Sequence, residues 1–390
     1  MNRIPFIFTA LLIALTCIGG SPADEPKWWP AATDAALKAA GANARELERA
    51  LRECPPAERE DMQFLIDNMP PPDLAALKAD FLLSHVAQSC QDLAKAPWAR
   101  MIPKEIFRND VLAYASLNEC RDSSRARLRG IAAPLVKDCR TPGEAAQLLN
   151  QKLFGIVKVK YSTKRRKPDQ SALESMESGL ATCSGLSILL VEACRSVAVP
   201  ARIAGTPMWT NLRGNHTWVE VWDNGWHFAG AAEPDGKGLD HGWFIGDAAK
   251  ADDSKPEHRI YASSFKKTGL AFPLVWDPSI EWVPAVNVTS RYTGSAGVES
   301  GTVRLLVRVL DGPGGKRVAA KVTVTDADDG TKTHSGTSSG EQADLNNILP
   351  FQITPGRRYR VEATGGGAST SVMVTAGKDA EQITTLTLKK

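Results

Sequence analysis

Long apolar runs are missing from this 390-residue chain once its opening residues are passed. No later stretch approaches 18 consecutive apolar residues, which excludes a channel or transporter built from spanning helices. An excess of one charge is missing as well. Lys and Arg number 47 against 44 Asp and Glu, a formal net charge of +3, which argues against a nucleic-acid protein held by bulk charge. No C-x-x-C occurs among the 7 cysteines, so neither a zinc ribbon nor a thioredoxin-like site is expected. What remains is ordinary globular composition, 43% hydrophobic and 23% charged. At roughly 150 residues per domain, the length predicts two or three domains.

The first residues read as a secretory signal. Arg3 supplies the positive start, Ile4 to Ile18 the apolar run, and Ser21-Pro22-Ala23 the small residues, with cleavage expected after Ala23. The alternatives are an uncleaved anchor, or a lipoprotein built on Cys17, for which Thr16 is a poor preceding residue. The expected location is secreted or periplasmic, with no membrane span in the mature chain. An oxidising compartment permits disulfides among Cys54, Cys90, Cys120, Cys139, Cys183 and Cys194. If one of these is a working thiol, at least one other stays reduced.

Three regions follow the signal at 1–23. Residues 24–140 read as helical, with a helix over Ala35 to Leu51 capped by Thr33 or Asp34, and a second opened by Asp73. Residues 141–290 mix helix and strand, beginning at Thr141-Pro142-Gly143-Glu144, a helix start that runs to about Phe154. Lys164-Arg165-Arg166-Lys167 is a basic loop, either solvated or a contact for an acidic polymer or a phosphate head group, which would make a cell-surface or envelope polymer a partner. Residues 300–390 hold short β-branched runs separated by turns: Thr302 to Leu310, Val318 to Thr325, Tyr359 to Ala363, Ser371 to Thr375 and Ile383 to Leu388. This is the pattern of a small antiparallel sandwich. Asp326 to Gly330 reads as a turn, because the glycine comes one position early for a calcium loop and no Glu closes it.

The informative stretch is Gly179-Leu180-Ala181-Thr182-Cys183-Ser184-Gly185, followed by a mostly apolar run from Leu186 to Val197. The small residues suit a loop and the run suits a buried helix, so Cys183 falls at a helix N-terminus. Unpaired N–H groups and the helix dipole there favour a thiolate, the nucleophilic form. They also suit the oxyanion of a tetrahedral intermediate. A buried structural cysteine is the competing reading. Cys194, three turns on, is expected in the core.

The second element runs from Asn215 to Phe228. Alternation places His216, Trp218, Glu220 and Trp222 on one face of a strand and Thr217, Val219 and Val221 on the other. Asn224-Gly225 predicts a two-residue hairpin turn. In that register Asp223 faces Trp226 and His216 faces Glu233, an acid placed to orient the imidazole. Gly230 could mark a bulge that spoils the pairing, which leaves Asp235 as runner-up. Trp218, on the His216 face, is a candidate to wall the cleft and bind substrate. His85, His227, His241, His258 and His334 show no comparable partner.

These blocks, with Val199-Pro200-Ala201-Arg202 between them, resemble the transglutaminase-like superfamily, whose members share a papain-like cysteine-enzyme core. The resemblance covers roughly residues 145–250. It implies an α+β fold: a papain-like core at 141–290, a helical N-terminal region and a separate C-terminal antiparallel β-sandwich. That sandwich is faintly similar to carboxypeptidase-regulatory or transthyretin-like modules. The resemblance also implies Cys183 as nucleophile, His216 as general base and acid, and a carboxylate as orienting group. The family's usual Asp-Pro is here Glu233-Pro234. The implied activity is attack on a peptide or Gln/Asn side-chain amide through a thioester, without a metal or organic cofactor, on a protein or peptide substrate. Hydrolysis is favoured over cross-linking. The rival is a binding or scaffold protein on a relict enzyme core.

Overall fold

The computed structural model describes residues 27–293, 302–330, 333–378 and 381–388. The stretch expected to be an export signal, residues 1–23, lies outside the described residues. Among the described residues, no helix is long and apolar enough to cross a membrane.

The N-terminal region is helical, as its composition predicts, but more finely divided. The single helix expected over Ala35 to Leu51 is two, α1 (Ala31–Ala39) and α2 (Ala44–Glu53). The break falls at Gly41, which takes the left-handed φ of +56° that glycine tolerates. Helices α3 (Arg59–Asn68), α4 (Pro71–Ala76), α5 (Ala79–Lys95) and α6 (Lys104–Asp110) follow. Leu47, Leu51, Met62, Leu65, Ile66, Leu82 and Val86 make their common core, which Phe265 of the next region also enters.

The central region starts with α7 (Ser124–Val136) and α8 (Pro142–Val157). Thr141 caps α8 as predicted, its Oγ1 accepting from Glu144 N at 3.2 Å. After the short strand β1 (Lys160–Tyr161), Ser171 closes a capping box on α9 (Ala172–Ser178). Gly179, at φ +68°, ends α9 and turns the chain into β2 (Leu180–Ala181), which pairs in parallel with β1. Helix α10 (Cys183–Arg195) then crosses the middle of the region, packed against α7, α8 and α9 and against the sheet. Its side chains from Leu186 to Val191 are buried, and each large aliphatic among them contributes roughly 1.5–3 kcal/mol.

Strands β3 (Ala201–Thr206), β4 (His216–Trp222), β5 (Trp226–Ala229), β6 (Tyr261–Ser263) and β7 (Ala285–Asn287) form an antiparallel sheet of order β5-β4-β3-β6-β7. The twofold period sorts its side chains cleanly. Ile203, Val219 and Val221 join the α10 core, while Ala204, Trp218 and Ala262 join a second cluster on the far face. That cluster includes residues flanking α11 (Ile245–Ala248) and Tyr292 of α12 (Thr289–Thr293).

The β4–β5 hairpin differs from the predicted register by one residue. Trp222 pairs with Trp226 and Val221 with His227, so the loop is Asp223-Asn224-Gly225. Asp223 N donates to Gly225 O at 2.8 Å, and Asn224 takes φ +58°. Because β5 stops at Ala229, His216 has no hairpin partner and the expected pairing with Glu233 does not form.

The C-terminal region is a sandwich of two sheets. In chain order its strands are β8 (Val303–Leu310), β9 (Lys321–Asp326), β10 (Thr333–Thr337), β11 (Leu349–Ile353), β12 (Arg358–Gly365), β13 (Ala368–Thr375) and β14 (Glu381–Thr387). Sheet β10-β9-β12-β13 is antiparallel; in β11-β8-β14 the β8–β14 pair is parallel, a departure from the all-antiparallel expectation. Leu305, Val307, Val322, Val324, Val361 and Ala363 fill the space between them. Asp326 is the last residue of β9 and pairs with Arg357 Nη1 at 2.6 Å, and the expected turn follows it over residues 327–330.

Candidate active site

Local sequence explains why Cys183 stands where it does. Gly179 ends one helix, β2 carries the chain past β1, and Thr182 becomes the N-cap of α10 with Cys183 as its first residue. The Thr182 side chain makes no capping hydrogen bond, so it does not occupy the first N–H groups of α10. Those groups remain available to an anion. Ser184 Oγ lies 3.1 Å from Thr217 Oγ1, and Ser187 Oγ donates to Thr217 O at 3.4 Å. The start of α10 is thus fixed beside the start of β4, whose first residue is His216.

Cys183 is half-buried and His216 is 2% exposed. The Cys183 sulfur, a His216 ring nitrogen and a carboxylate oxygen of Asp344 all lie within 4.8 Å of one another. Asp344 was not among the sequence candidates. It sits in the loop between β10 and β11 of the sandwich, 3% exposed, with Oδ2 3.6 Å from His216 Nδ1. That is an ion-pair contact and longer than a hydrogen bond. Neither ring nitrogen of His216 has a hydrogen-bond partner among the described residues. Sulfur, imidazole and carboxylate are also donor types found in zinc sites, though this trio equally suits the roles of nucleophile, base and acid.

Burial alone would lower the His216 pKa, but Asp344 and the Cys183 sulfur outweigh it and push the imidazole up to about 10. Burial likewise works against the Asp344 carboxylate, and His216 overcomes it, holding that acid below its usual range. Aromatic rings enclose the imidazole: its centroid lies 4.6 Å from Trp243, 5.0 Å from Phe244 and 5.8 Å from Trp218.

The other sequence candidates stand as follows. Glu233 is half-buried and takes the Trp243 Nε1 hydrogen at 2.8 Å. Burial raises its carboxyl to about 7, with His216 opposing and Asp344 reinforcing the rise. Asp235 is exposed and accepts the Lys237 N–H at 2.9 Å. Trp218 is fully buried beneath His216, its indole N–H donated to Tyr292 Oη at 2.8 Å, so it walls no cleft. The indole that reaches open space is Trp243. It lines a cavity of about 800 Å³ together with Tyr161, Leu186, Glu233, Ala343 and Asn347. Tyr161 arrives there because β1 pairs it with Ala181, two residues before Cys183.

Cys194 is fully buried, and burial pushes its thiol up to about 12, as suits a core position. All six described cysteines are free. His227, for which the sequence shows no partner comparable to that of His216, meets an acid: its Nδ1 lies 2.6 Å from Asp240 Oδ2 at a partly exposed edge. In the basic loop, Lys167 Nζ lies 3.0 Å from Glu174 and Arg166 Nη1 3.7 Å from Glu177, so both cations meet acids of this chain.

Gly205 shows how tightly the site is set. It pairs with Thr217 in the β3–β4 ladder, and a Cβ there would meet the His216 carbonyl oxygen at 2.7 Å. Gly205→Ala is therefore expected to shift His216 and, with His216 as the reacting base proposed below, to lower turnover by about 10- to 100-fold, since small displacements of a reacting group are costly. Steady-state kinetics beside a thermal melt check this; wild-type kinetics in the folded variant would contradict it.

Residues 129–236 match the transglutaminase-like superfamily core. Among curated proteins none matches the chain. Among solved structures the chain is similar to a candidate cysteine protease from Cytophaga hutchinsonii, at 18% identity and a TM-score of 0.26, over 31% of this chain and 42% of that one. It is also similar to red sea bream transglutaminase, at 12% identity and a TM-score of 0.33, over 73% of this chain and 66% of that one. The chain thus spans less than two thirds of the length of either. Residues 129–236 are thus a transglutaminase-like segment, of a superfamily whose members are generally cysteine enzymes.

Proposed function

We propose that the protein is an exported thiol enzyme that cleaves amide bonds in peptides or in Gln/Asn side chains. The observation that carries this reading is the meeting of Cys183, first residue of a buried helix, with His216, first residue of the adjoining strand. Cys183 thiolate attacks the amide carbon, and a C–S bond forms as the carbonyl electrons move onto oxygen. The N–H groups that open α10 face the resulting anion. Collapse expels the amine, which takes its proton from the His216 imidazolium, and a thioester remains. His216 then accepts a proton from water as the hydroxyl adds to the thioester. The C–S bond breaks, the acid leaves and the thiolate returns. An amine in place of water gives a new amide. Hydrolysis is the favoured outcome.

Limited iodoacetamide with peptide mapping tests the reading without a known substrate. Rapid alkylation confined to Cys183, and its loss in His216→Ala, is the expected result. Labelling of Cys183 no faster than a free thiol, with no cleavage of peptide amides, would instead identify a scaffold on a transglutaminase-like core. Release of ammonia from glutamine peptides, with and without an added primary amine, separates hydrolysis from transfer.

A further inference from the structure

We propose that Asp344, brought to the site by the C-terminal sandwich, is a positioning residue for His216, so that the active centre is built from two regions of the chain. The inference rests on the reading of Cys183 and His216 as the reacting pair. It gives the charged third role to a residue outside the transglutaminase-like segment.

The two oxygens of Asp344 have separate partners. Oδ1 accepts the Asn346 backbone N–H at 2.8 Å, which fixes the plane of the carboxylate, and Oδ2 faces His216 Nδ1 at 3.6 Å. The loop is held rigid from behind. Arg317 Nη2 donates to the carbonyls of Gly340, Ala343 and Asp344, and its Nη1 to those of Leu345 and Asn347, all between 2.8 and 3.4 Å. The loop is also tied to the core around the site. Leu345 N donates to Tyr161 Oη at 3.2 Å, and Arg213 Nη1 donates to Asn346 O at 3.0 Å. Asn346 Nδ2 donates at 3.1 Å to the carbonyl of Asn215, the residue just before His216.

A buried network of four charged side chains fastens the two regions near this loop. Asp247 binds Arg213 and Arg304, each at 2.5 Å, and Glu381 of β14 lies 3.3 Å from both arginines. A loop pinned by this many directed bonds holds its carboxylate to a small range of positions, which is what orienting an imidazole requires. Glu233, by contrast, is committed to Trp243. Desolvation raises the pKa of its carboxyl and so works against the charged form, which a standing counter-charge for an imidazolium needs.

The titratable groups around His216 are Cys183 from α10, Glu233 from beyond β5 and Asp344 from the sandwich; Tyr161 and Arg317 in turn face Asp344. Removing the Asp344 charge takes away the largest influence that favours the imidazolium. His216 should then lose its proton at lower pH, and the alkaline limb of activity should move the same way.

The test uses the full chain with ¹⁵N-labelled histidine. In Asp344→Asn the His216 midpoint is expected to fall by about one pH unit or more. Cleavage of a peptide amide should drop in kcat by about 10- to 100-fold, with KM changed less than about twofold. Asp344→Glu should restore most of both. If Asp344→Asn does not fold, Asn346→Ala carries the test. It keeps the carboxylate but cuts the tie to Asn215, and should move the midpoint in the same direction. An unchanged midpoint and kcat in a folded variant overturns the proposal. So does a variant faster than wild type, which would make the loop a plug. If Cys183→Ala retains turnover, the catalytic reading falls and takes this inference with it. If Cys183→Ala is dead while Asp344→Asn matches wild type, this inference alone falls.

Discussion

Cys183→Ala should abolish amide turnover, a loss of at least about 10⁴-fold in kcat, with an unfolding midpoint within a few degrees of wild type. The magnitude follows from the mechanism. No other described thiol sits where it could substitute: Cys194 is buried in the core of the same helix, with its proton held to about pH 12. Removal of a covalent nucleophile leaves only binding and oxyanion stabilisation, and in hydrolases of this logic that residue of activity is small. The fold should survive because Cys183 is half-buried at the first turn, where alanine is a good helix former and no disulfide is lost. The same variant removes one of the two influences that hold His216 charged, so its imidazole should titrate lower than about 10. Kinetics, a thermal melt and histidine titration together distinguish chemical from structural loss. Turnover above about a hundredth of wild type in the folded variant would sink the nucleophile assignment.

The two ends of the Cys183–His216 contact were legible because each depends on local rules. A helix start is announced by a glycine, small residues and an apolar run, and strand faces by alternation. Hence the boundary at Cys183 and the sorting of Trp218 from Val219 follow from neighbouring residues alone. The hairpin register did not follow. Asn-Gly favours a two-residue turn, but Asp223 closes a three-residue loop with Gly225, and a slip of one residue moves every cross-strand partner. Asp344 left no readable signal near His216. It lies in a loop of Asp, Leu and two Asn that looks like any turn between strands, and its approach is set by how two regions of the chain pack. The same limit applies to Trp218 and Trp243: both are tryptophans near the site, and only the packing of Tyr292 and Phe244 decides which one is sealed.

Beneath the imidazole, Glu220→Ala should cost about 3–5 kcal/mol of unfolding free energy and lower activity as well. Glu220 is fully buried on β4, on the same face as His216 and Trp218. Its Oε2 takes Arg202 Nε at 2.8 Å and Nη2 at 2.7 Å; its Oε1 takes Tyr292 Oη at 2.8 Å and Arg291 Nη1 at 2.5 Å. Tyr292 in turn accepts the Trp218 indole hydrogen. Truncation therefore strands a buried guanidinium on Arg202, stacked over Trp226 at 3.7 Å, and leaves the tyrosine hydroxyl without its acceptor. Two buried groups losing their partners outweigh the modest net value of the bonds themselves. Because Trp218 packs directly against His216, the platform should loosen and kcat should fall while the urea midpoint drops. Glu220→Gln, which retains one acceptor oxygen, should lose less on both counts. Added salt should change the wild-type stability little, since a buried pair is weakly screened. A double-mutant cycle with Arg202→Met should return a coupling above about 1 kcal/mol. A cycle that closes additively, or a Glu220→Ala cost under about 1 kcal/mol, would mean that apolar packing rather than this ionic network supports the histidine.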